Sequence, residues 1–217
     1  YFSPAGNNNQ VLGCYFGYNY LGATPAGYAT NYGIMLNGAS GNTIGDGTAA
    51  GRNLISGMLN GYGMGIYMTG AGCSTNVIKG NMIGLNKAGT ARPDVSFTQT
   101  QGIYIWSTAG GNNTIGGTGA GEGNVISGNG LGITIYRNTS SGDHVIGNIM
   151  GPTADGLSIV ASNPQSCGMG LYYSPNNVIG PGNVMSGNTM RGMEMGYYGA
   201  CNGNWIKGNI VGLNKNG

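Results

Sequence analysis

The stretch Asn76-Val77-Ile78-Lys79-Gly80-Asn81-Met82-Ile83-Gly84-Leu85-Asn86-Lys87 returns as Asn204-Trp205-Ile206-Lys207-Gly208-Asn209-Ile210-Val211-Gly212-Leu213-Asn214-Lys215, displaced by 128 residues. A shorter copy lies between them at His144-Val145-Ile146-Gly147-Asn148-Ile149-Met150-Gly151, and Gln10-Val11-Leu12 begins the series. From Val11 to Val77, Val145 and Trp205 the steps are 66, 68 and 60 residues. A fixed long period marks a repeat architecture, and it outranks local propensity as a guide to the fold.

Other motifs keep the same period. Asn42-Thr43-Ile44-Gly45 matches Asn113-Thr114-Ile115-Gly116 and Asn177-Val178-Ile179-Gly180. Asn53-Leu54-Ile55-Ser56-Gly57 matches Asn124-Val125-Ile126-Ser127-Gly128 and Asn183-Val184-Met185-Ser186-Gly187. Gly65-Ile66-Tyr67-Met68 matches Gly132-Ile133-Thr134-Ile135 and Gly192-Met193-Glu194-Met195. Three units of about 65 residues follow, near 8–73, 74–140 and 141–201, with a partial fourth at 202–217, all within a single solenoid domain.

Within a unit the apolar pairs fall at Ile34, Ile44, Ile55, Ile66 and Ile78, so alternate pairs lie 21 to 23 residues apart. Taken as one turn of a solenoid, that spacing predicts coils of about 22 residues, three to a unit and nine or ten in all. At about 4.8 Å per coil such a tube is about 45 Å long. Each strand is too short to bury its own apolar residues, so stacking supplies the core. A helical alternative fails, because glycine every few residues costs about 1 kcal/mol apiece in a helix interior and no i, i+3, i+4 stripe survives. Alternation in the G-I-x-I strands then puts Ile66, Met68, Ile133, Ile135, Met193 and Met195 inside, with Tyr67, Thr134 and Glu194 outside.

Composition agrees with a folded, neutral tube. Of 217 residues 47 are glycine, yet 40% are hydrophobic and only 6% charged, against roughly a quarter charged in an ordinary soluble domain. The net charge of +2 is spread thinly, with no basic cluster to neutralise phosphates, so nucleic acid is excluded as a partner. No apolar run reaches the 18 or so residues of a membrane span. Cys14, Cys73, Cys167 and Cys201 show no C-x-x-C spacing and a single His accompanies them, which excludes a zinc site. No cofactor is implied. Cys73 and Cys201 occupy equivalent positions two units apart, six coils or roughly 30 Å along the tube, far beyond disulfide reach.

Asn42, Asn113 and Asn177 recur before strands, as do Asn53, Asn124 and Asn183, and Asn81, Asn148 and Asn209. Asn tolerates left-handed turns, and its amide bonds to an equivalent amide one coil away. These nine residues are the candidate structural ladder. Glycine serves turns of positive φ and places where the backbone passes close to a neighbour.

The order N-x-I-x-G-N-x-I-G, G-I-x-I, N-T-I-G-G, G-N-V-I-S-G-N and again G-I-x-I resembles the right-handed parallel β-helix repeat proteins of the pectate-lyase-like superfamily. It is most similar to the long tandem-repeat surface proteins of bacteria and archaea, and the resemblance covers essentially the whole chain. It implies an all-β, right-handed parallel β-helix, extracellular or on the cell surface. Two places depart from the pattern: Gly57-Met58 stands where G-N is expected, and Gly13-Cys14-Tyr15-Phe16-Gly17-Tyr18 reads as a small insertion.

Enzymes of that superfamily place several acidic residues on adjacent coils. Here Asp46, Asp94, Glu122, Asp143, Asp155 and Glu194 stand apart in sequence, with neither a DD pair nor an R-I-K run. No catalytic residue carries across, and the chain is read as a non-enzyme. His144, beside Asp143, takes the repeat position of Asn76 and Asn204 and is read as a substituted ladder residue. Among 14 tyrosines, Tyr67, Tyr104, Tyr136, Tyr172 and Tyr197 fall in or near comparable strands, where they either stiffen the tube as a stacking column or bind polysaccharide. Neither end of the chain reads as a cap. The resulting expectation is a structural solenoid that stacks on itself head to tail or continues in a longer one, with a carbohydrate-binding or polysaccharide-cleaving module as the alternative.

Overall fold

The computed structural model describes residues 1–17, 31–58, 61–93, 99–106, 110–137, 142–160 and 164–217. Tyr18 of the apparent insertion and Asp94 lie outside them. The described chain is all-β and forms a parallel β-helix with three sheets. The first runs Gln10–Val11, Thr43–Ile44, Val77–Ile78, Thr114–Gly116, His144–Ile146, Val178–Ile179 and Trp205–Ile206. The second runs Tyr15–Phe16, Leu54–Ile55, Met82–Ile83, Val125–Ile126, Ile149–Met150, Val184–Met185 and Ile210–Val211. The third holds the longer strands Tyr32–Asn37, Met64–Thr69, Gln101–Trp106, Leu131–Tyr136, Cys167–Tyr172 and Arg191–Met195.

The coil is longer than the sequence spacing predicted. Gln10 pairs with Thr43, Thr43 with Val77, Val77 with Thr114, Thr114 with His144, His144 with Val178 and Val178 with Trp205. One turn therefore takes 27 to 37 residues rather than about 22. A turn carries three apolar strands, one per sheet, so two successive pairs such as Ile44 and Ile55 cover only part of it. Each unit of about 65 residues is two coils, and the first sheet stacks seven strands, about 30 Å end to end at the usual strand spacing. Cys73 and Cys201 are accordingly four coils apart, about 19 Å. All four cysteines are free.

The period is two coils because two kinds of corner alternate. Between first and second strands Ile78 reaches Met82 through Lys79-Gly80-Asn81 alone, whereas residues 45–53 intervene between Ile44 and Leu54. Residues 117–124 make the long corner again between Gly116 and Val125, and 147–148 the short one between Ile146 and Ile149. At Gly13-Cys14-Tyr15-Phe16-Gly17 the chain makes the second-sheet strand of the first coil, since Tyr15 pairs with Leu54 and Phe16 with Ile55. That segment is no insertion: it is the G-N-x-I-G segment with Cys14 in the asparagine position.

Inside the tube the second residue of each short pair stacks on its counterparts. Ile44, Ile78, Ile115, Val145 and Ile179 form one buried column; Ile55, Ile83, Ile126, Met150 and Met185 form another. The third sheet contributes Ile34, Leu36, Ile66, Met68, Ile103, Ile105, Ile133, Ile135, Met169 and Leu171 to the same core. Full burial of such a side chain contributes roughly 1.5–3 kcal/mol.

The glycine of G-I-x-I is fixed by crowding between coils. A Cβ on Gly65 would lie 2.6 Å from the carbonyl oxygen of Gly102, and one on Gly102 would lie 2.6 Å from that of Gly132. Gly132 meets Gly168 and Gly168 meets Gly192 in the same way. A column of glycines thus lets the third-sheet strands approach one another at that position.

Ile66, Met68, Ile133 and Ile135 are fully buried, and Met193 packs against the core, as alternation requires. Met195 is 48% exposed because Arg191–Met195 is the edge strand of its sheet. Tyr67 and Thr134, placed outside by alternation, are buried as well, at 6% and 3% exposure. The register is not shifted. Outer-face neighbours cover them: Tyr67 lies under stacked rings, and the Thr134 hydroxyl donates to Gln101 Oε1 at 2.7 Å.

Candidate functional site

Two side-chain ladders run the length of the tube. In the ladder ahead of the first sheet, the backbone N–H and side-chain amide of Asn42 both donate to Asn76 Oδ1, at 2.9 and 3.1 Å. Asn76 donates in the same double fashion to Asn113, Asn113 to Asp143, and Asn177 to Asn204. Asp143 donates its backbone N–H to Asn177 Oδ1 at 3.1 Å. Asn42, Asn113 and Asn177 are therefore alternate rungs, with Asn76 and Asp143 between them.

The ladder ahead of the second sheet is Asn53, Asn81, Asn124, Asn148, Asn183 and Asn209. Asn81 donates to Asn124 Oδ1 at 3.0 and 2.9 Å, Asn124 to Asn148 at 3.1 and 2.9 Å, and Asn148 to Asn183 at 3.0 and 3.1 Å. Asn53 Nδ2 reaches Asn81, and Asn183 Nδ2 reaches Asn209. The two families that differ in sequence, Asn53/Asn124/Asn183 and Asn81/Asn148/Asn209, interleave in one column. All of its rungs but Asn209 are buried. A rung in a dry interior is worth more than one in water, and a missing partner costs correspondingly more.

A third ladder, ahead of the third sheet, escapes the sequence reading. Gln99 Nε2 donates to Asn129 Oδ1 at 2.8 Å, Asn129 to Gln165 and Gln165 to Asn188. Its only sequence signal is the final Asn of S-G-N at Asn129 and Asn188; the glutamines of the alternate coils belong to no motif. Met58, the departure from G-N, occupies the same place and takes part through its backbone N–H, which points at Gln99 Oε1.

His144 is not a rung. It is an exposed strand residue between Thr114 and Val178, and its neighbour Asp143 fills the ladder position, fully buried. The other described carboxylates are engaged locally. Asp46 accepts from Thr48 N and Oγ1, at 2.8 and 2.7 Å, and these hydrogen bonds lower its pKa. Asp155 is lowered in the same way by Thr153 and the Leu157 N–H. Glu122 accepts from Lys79 Nζ at 3.0 Å and from the Gly119 N–H, and both hold its pKa down. Among the described residues no three His, Cys, Asp or Glu side chains converge as metal ligands. Among the described residues no helix is long and apolar enough to cross a membrane.

The outer face of the third sheet carries the aromatic residues in two columns. One runs Tyr67, Tyr104, Thr134, Gly170 and Glu194; the other runs Thr69, Trp106, Tyr136 and Tyr172. On the first coils the rings lie flat on one another: Tyr32 on Tyr67 at 5.0 Å, Tyr67 on Tyr104 at 5.8 Å and on Trp106 at 6.3 Å. Burial pushes the Tyr104 hydroxyl up to about 12. On later coils the contacts turn edge to face, with Tyr198 5.1 Å from Tyr172 and 5.9 Å from Tyr136. Tyr197, also singled out in the sequence, packs edge-on against Tyr198. Between the two arrangements lies a groove of about 600 Å³, walled by Tyr104 and Trp106 on one side and Tyr172 and Tyr198 on the other. Trp106 was missed as an aromatic candidate, although its position in Ile103-Tyr104-Ile105-Trp106 alternates outward with Tyr104.

Comparison with protein-family models, curated proteins and solved structures finds no match to this chain.

Proposed function

We propose that this chain is a structural β-solenoid element of an extracellular or cell-surface filament, in which copies stack head to tail along the tube axis. The amide ladders support this reading. At each described junction between coils parallel strands pair, and in at least one ladder an Asn Oδ1 takes an N–H donor from the coil before it. In the first ladder one end of such a tube presents donors in the register in which the other presents acceptors, whereas Cys14 takes the asparagine place of the second ladder on the first coil. A contact between unlike faces propagates into a fibre instead of closing into a dimer. Little charge opposes it, since only 6% of residues are charged. The reading assigns no catalysis, because each described carboxylate is committed to a ladder, a turn or an ion pair.

Electron microscopy and fibre diffraction of concentrated protein test it. Unbranched threads with an axial reflection near 4.8 Å are expected. A concentration-independent monomer without that reflection overturns the filament. Cleavage of pectin or alginate that is lost on changing Asp143 or His144 overturns the non-enzymatic part.

A further inference from the structure

The aromatic groove on the third sheet holds one cation that no carboxylate neutralises. Arg137 lines it together with Tyr104, Trp106, Tyr136, Tyr172 and Tyr198. Among the described residues the ion pairs are Lys79 with Glu122 and Arg191 with Glu194, and neither involves Arg137. Its guanidinium lies instead over two rings, 5.3 Å from that of Tyr136 and 5.6 Å from that of Tyr173. A cation–π contact engages the face of the ion, so the N–H edge of the guanidinium is left to meet an anion.

The walls decide what the anion is attached to. Tyr32, Tyr67 and Tyr104 stack nearly flat, but Thr134 stands next to Tyr104 in register and interrupts the column. Trp106 has one face on Tyr67 and remains 40% exposed. At about 600 Å³ the space falls within the usual range for small-molecule sites. Its polar groups are few and partly spent: the Thr134 hydroxyl donates to Gln101 Oε1 at 2.7 Å, and the Tyr172 hydroxyl donates to Glu194 at 2.8 Å. A ligand rich in hydroxyls, such as a uronate chain, would lose hydrogen bonds to water there without replacement. A planar aromatic ring has none to lose, and it stacks on the rings of the wall. The Arg137 charge repels a cation from the same faces.

We propose that this groove binds a small planar aromatic carboxylate, with its ring system against Trp106 and its carboxylate on the N–H edge of Arg137. The planar guanidinium matches a carboxylate through two parallel N–H···O bonds. Stacking on Tyr136 and Tyr173 fixes the fork before the ligand arrives, which lowers the ordering cost of binding. The site is independent of the coil faces invoked for stacking, so its failure leaves the filament reading intact.

Isothermal titration with 2-naphthoate tests it, beside 2-naphthol as the neutral ring, cyclohexanecarboxylate as the non-aromatic acid and hexagalacturonate as an acidic glycan. The wild-type chain is compared with Arg137→Gln, which removes the charge, and with Thr134→Tyr, which continues the ring column into the groove; thermal melts show which variants are folded. Saturable binding of 2-naphthoate is expected, about tenfold or more tighter than that of the other three probes, and weakened about tenfold or more by either folded variant. Absence of 2-naphthoate binding at millimolar concentration overturns the proposal. So does equal or tighter binding of 2-naphthol, cyclohexanecarboxylate or hexagalacturonate, or an affinity unchanged in either folded variant. The four probes on the wild-type chain decide the question even where neither variant folds.

Discussion

The Tyr172 hydroxyl donates to Glu194 Oε2 at 2.8 Å from one third-sheet strand to the next, with the tyrosine ring folded over Gly170. The bond requires a protonated phenol, and burial followed by this acceptor and its charge pushes the Tyr172 pKa above its ordinary 10.0. Tyr104 is raised to about 12, chiefly by burial. Because both folded values exceed the unfolded ones, their stabilisation is complete below pH 10 and is lost as the pH climbs through the folded values. Alkaline titration followed by circular dichroism should show a fold insensitive to pH up to about 10 and weakening above it. Tyr172→Phe should lose about 1.5–3 kcal/mol at neutral pH, the range for a hydrogen bond to a charged group, and shed part of the alkaline sensitivity. An unchanged alkaline profile in that variant would mean that the bond does not form.

Asp143 is the one carboxylate in a buried column of amides. At every other interior rung of that ladder an asparagine both accepts on Oδ1 and donates through Nδ2, as Asn76 does to Asn113. A carboxylate accepts from Asn113 equally well but lacks the amide donors. Asp143→Asn should therefore stabilise the tube by about 1 kcal/mol, seen as a rise of roughly 2–4 °C in melting temperature. Asp143→Leu, which removes the acceptor as well, should lower it. A lower melting temperature for the asparagine variant would show that the charge itself is required.

The fold was legible because the strand motifs are short and repeat almost verbatim: Gly65-Ile66-Tyr67-Met68 and Gly132-Ile133-Thr134-Ile135 name the third sheet directly. The coil length was not legible, since corners of unequal size hide the true neighbour. Successive rungs of the second ladder lie 28, 43, 24, 35 and 26 residues apart. Asn53 therefore matches Asn124 better in sequence than it matches Asn81, its partner in space. His144 aligns as a rung by its similarity to the N-V-I motif, but the hydrogen bonds place the rung one residue earlier, at Asp143. The groove depends on Thr134, a small residue whose significance emerges only from the parallel register that puts it next to Tyr104.

Gly132 tests the close packing between third-sheet strands. Its φ is ordinary, so alanine faces no backbone strain there, only the carbonyl oxygen of Gly168 and the Gln165 amide. Gly132→Ala must spread two coils or fail to fold, and a loss of about 1–3 kcal/mol is expected from overpacking. Gly61, with nothing within 4 Å of its would-be Cβ but φ at +69°, should lose less on the same change, through backbone strain alone. Denaturant unfolding of the two variants side by side provides the measurement. Equal losses would show that backbone conformation, not the neighbouring coil, sets the requirement for glycine in G-I-x-I.

The cysteines report on local opening. Cys73 is fully buried, packed in the core and 3.6 Å from Asn76 Nδ2. Its thiol is pushed up to about 12, first by burial and then by the Asp143 charge. Cys167 is buried and raised in the same direction, whereas Cys14 is exposed. A thiolate-selective reagent near neutral pH should therefore modify Cys14 promptly and Cys73 only when a coil opens, since the thiolate is the reacting form. In native buffer, mass spectrometry should show one fast modification, a slower one at half-buried Cys201, and none at Cys73 until denaturant is added. The Cys73 rate should then follow the stability of its own coils, so destabilising Asn76, the rung beside it, should accelerate modification of Cys73 more than that of Cys167. Equal acceleration at both would show that the tube opens as one cooperative unit instead of coil by coil.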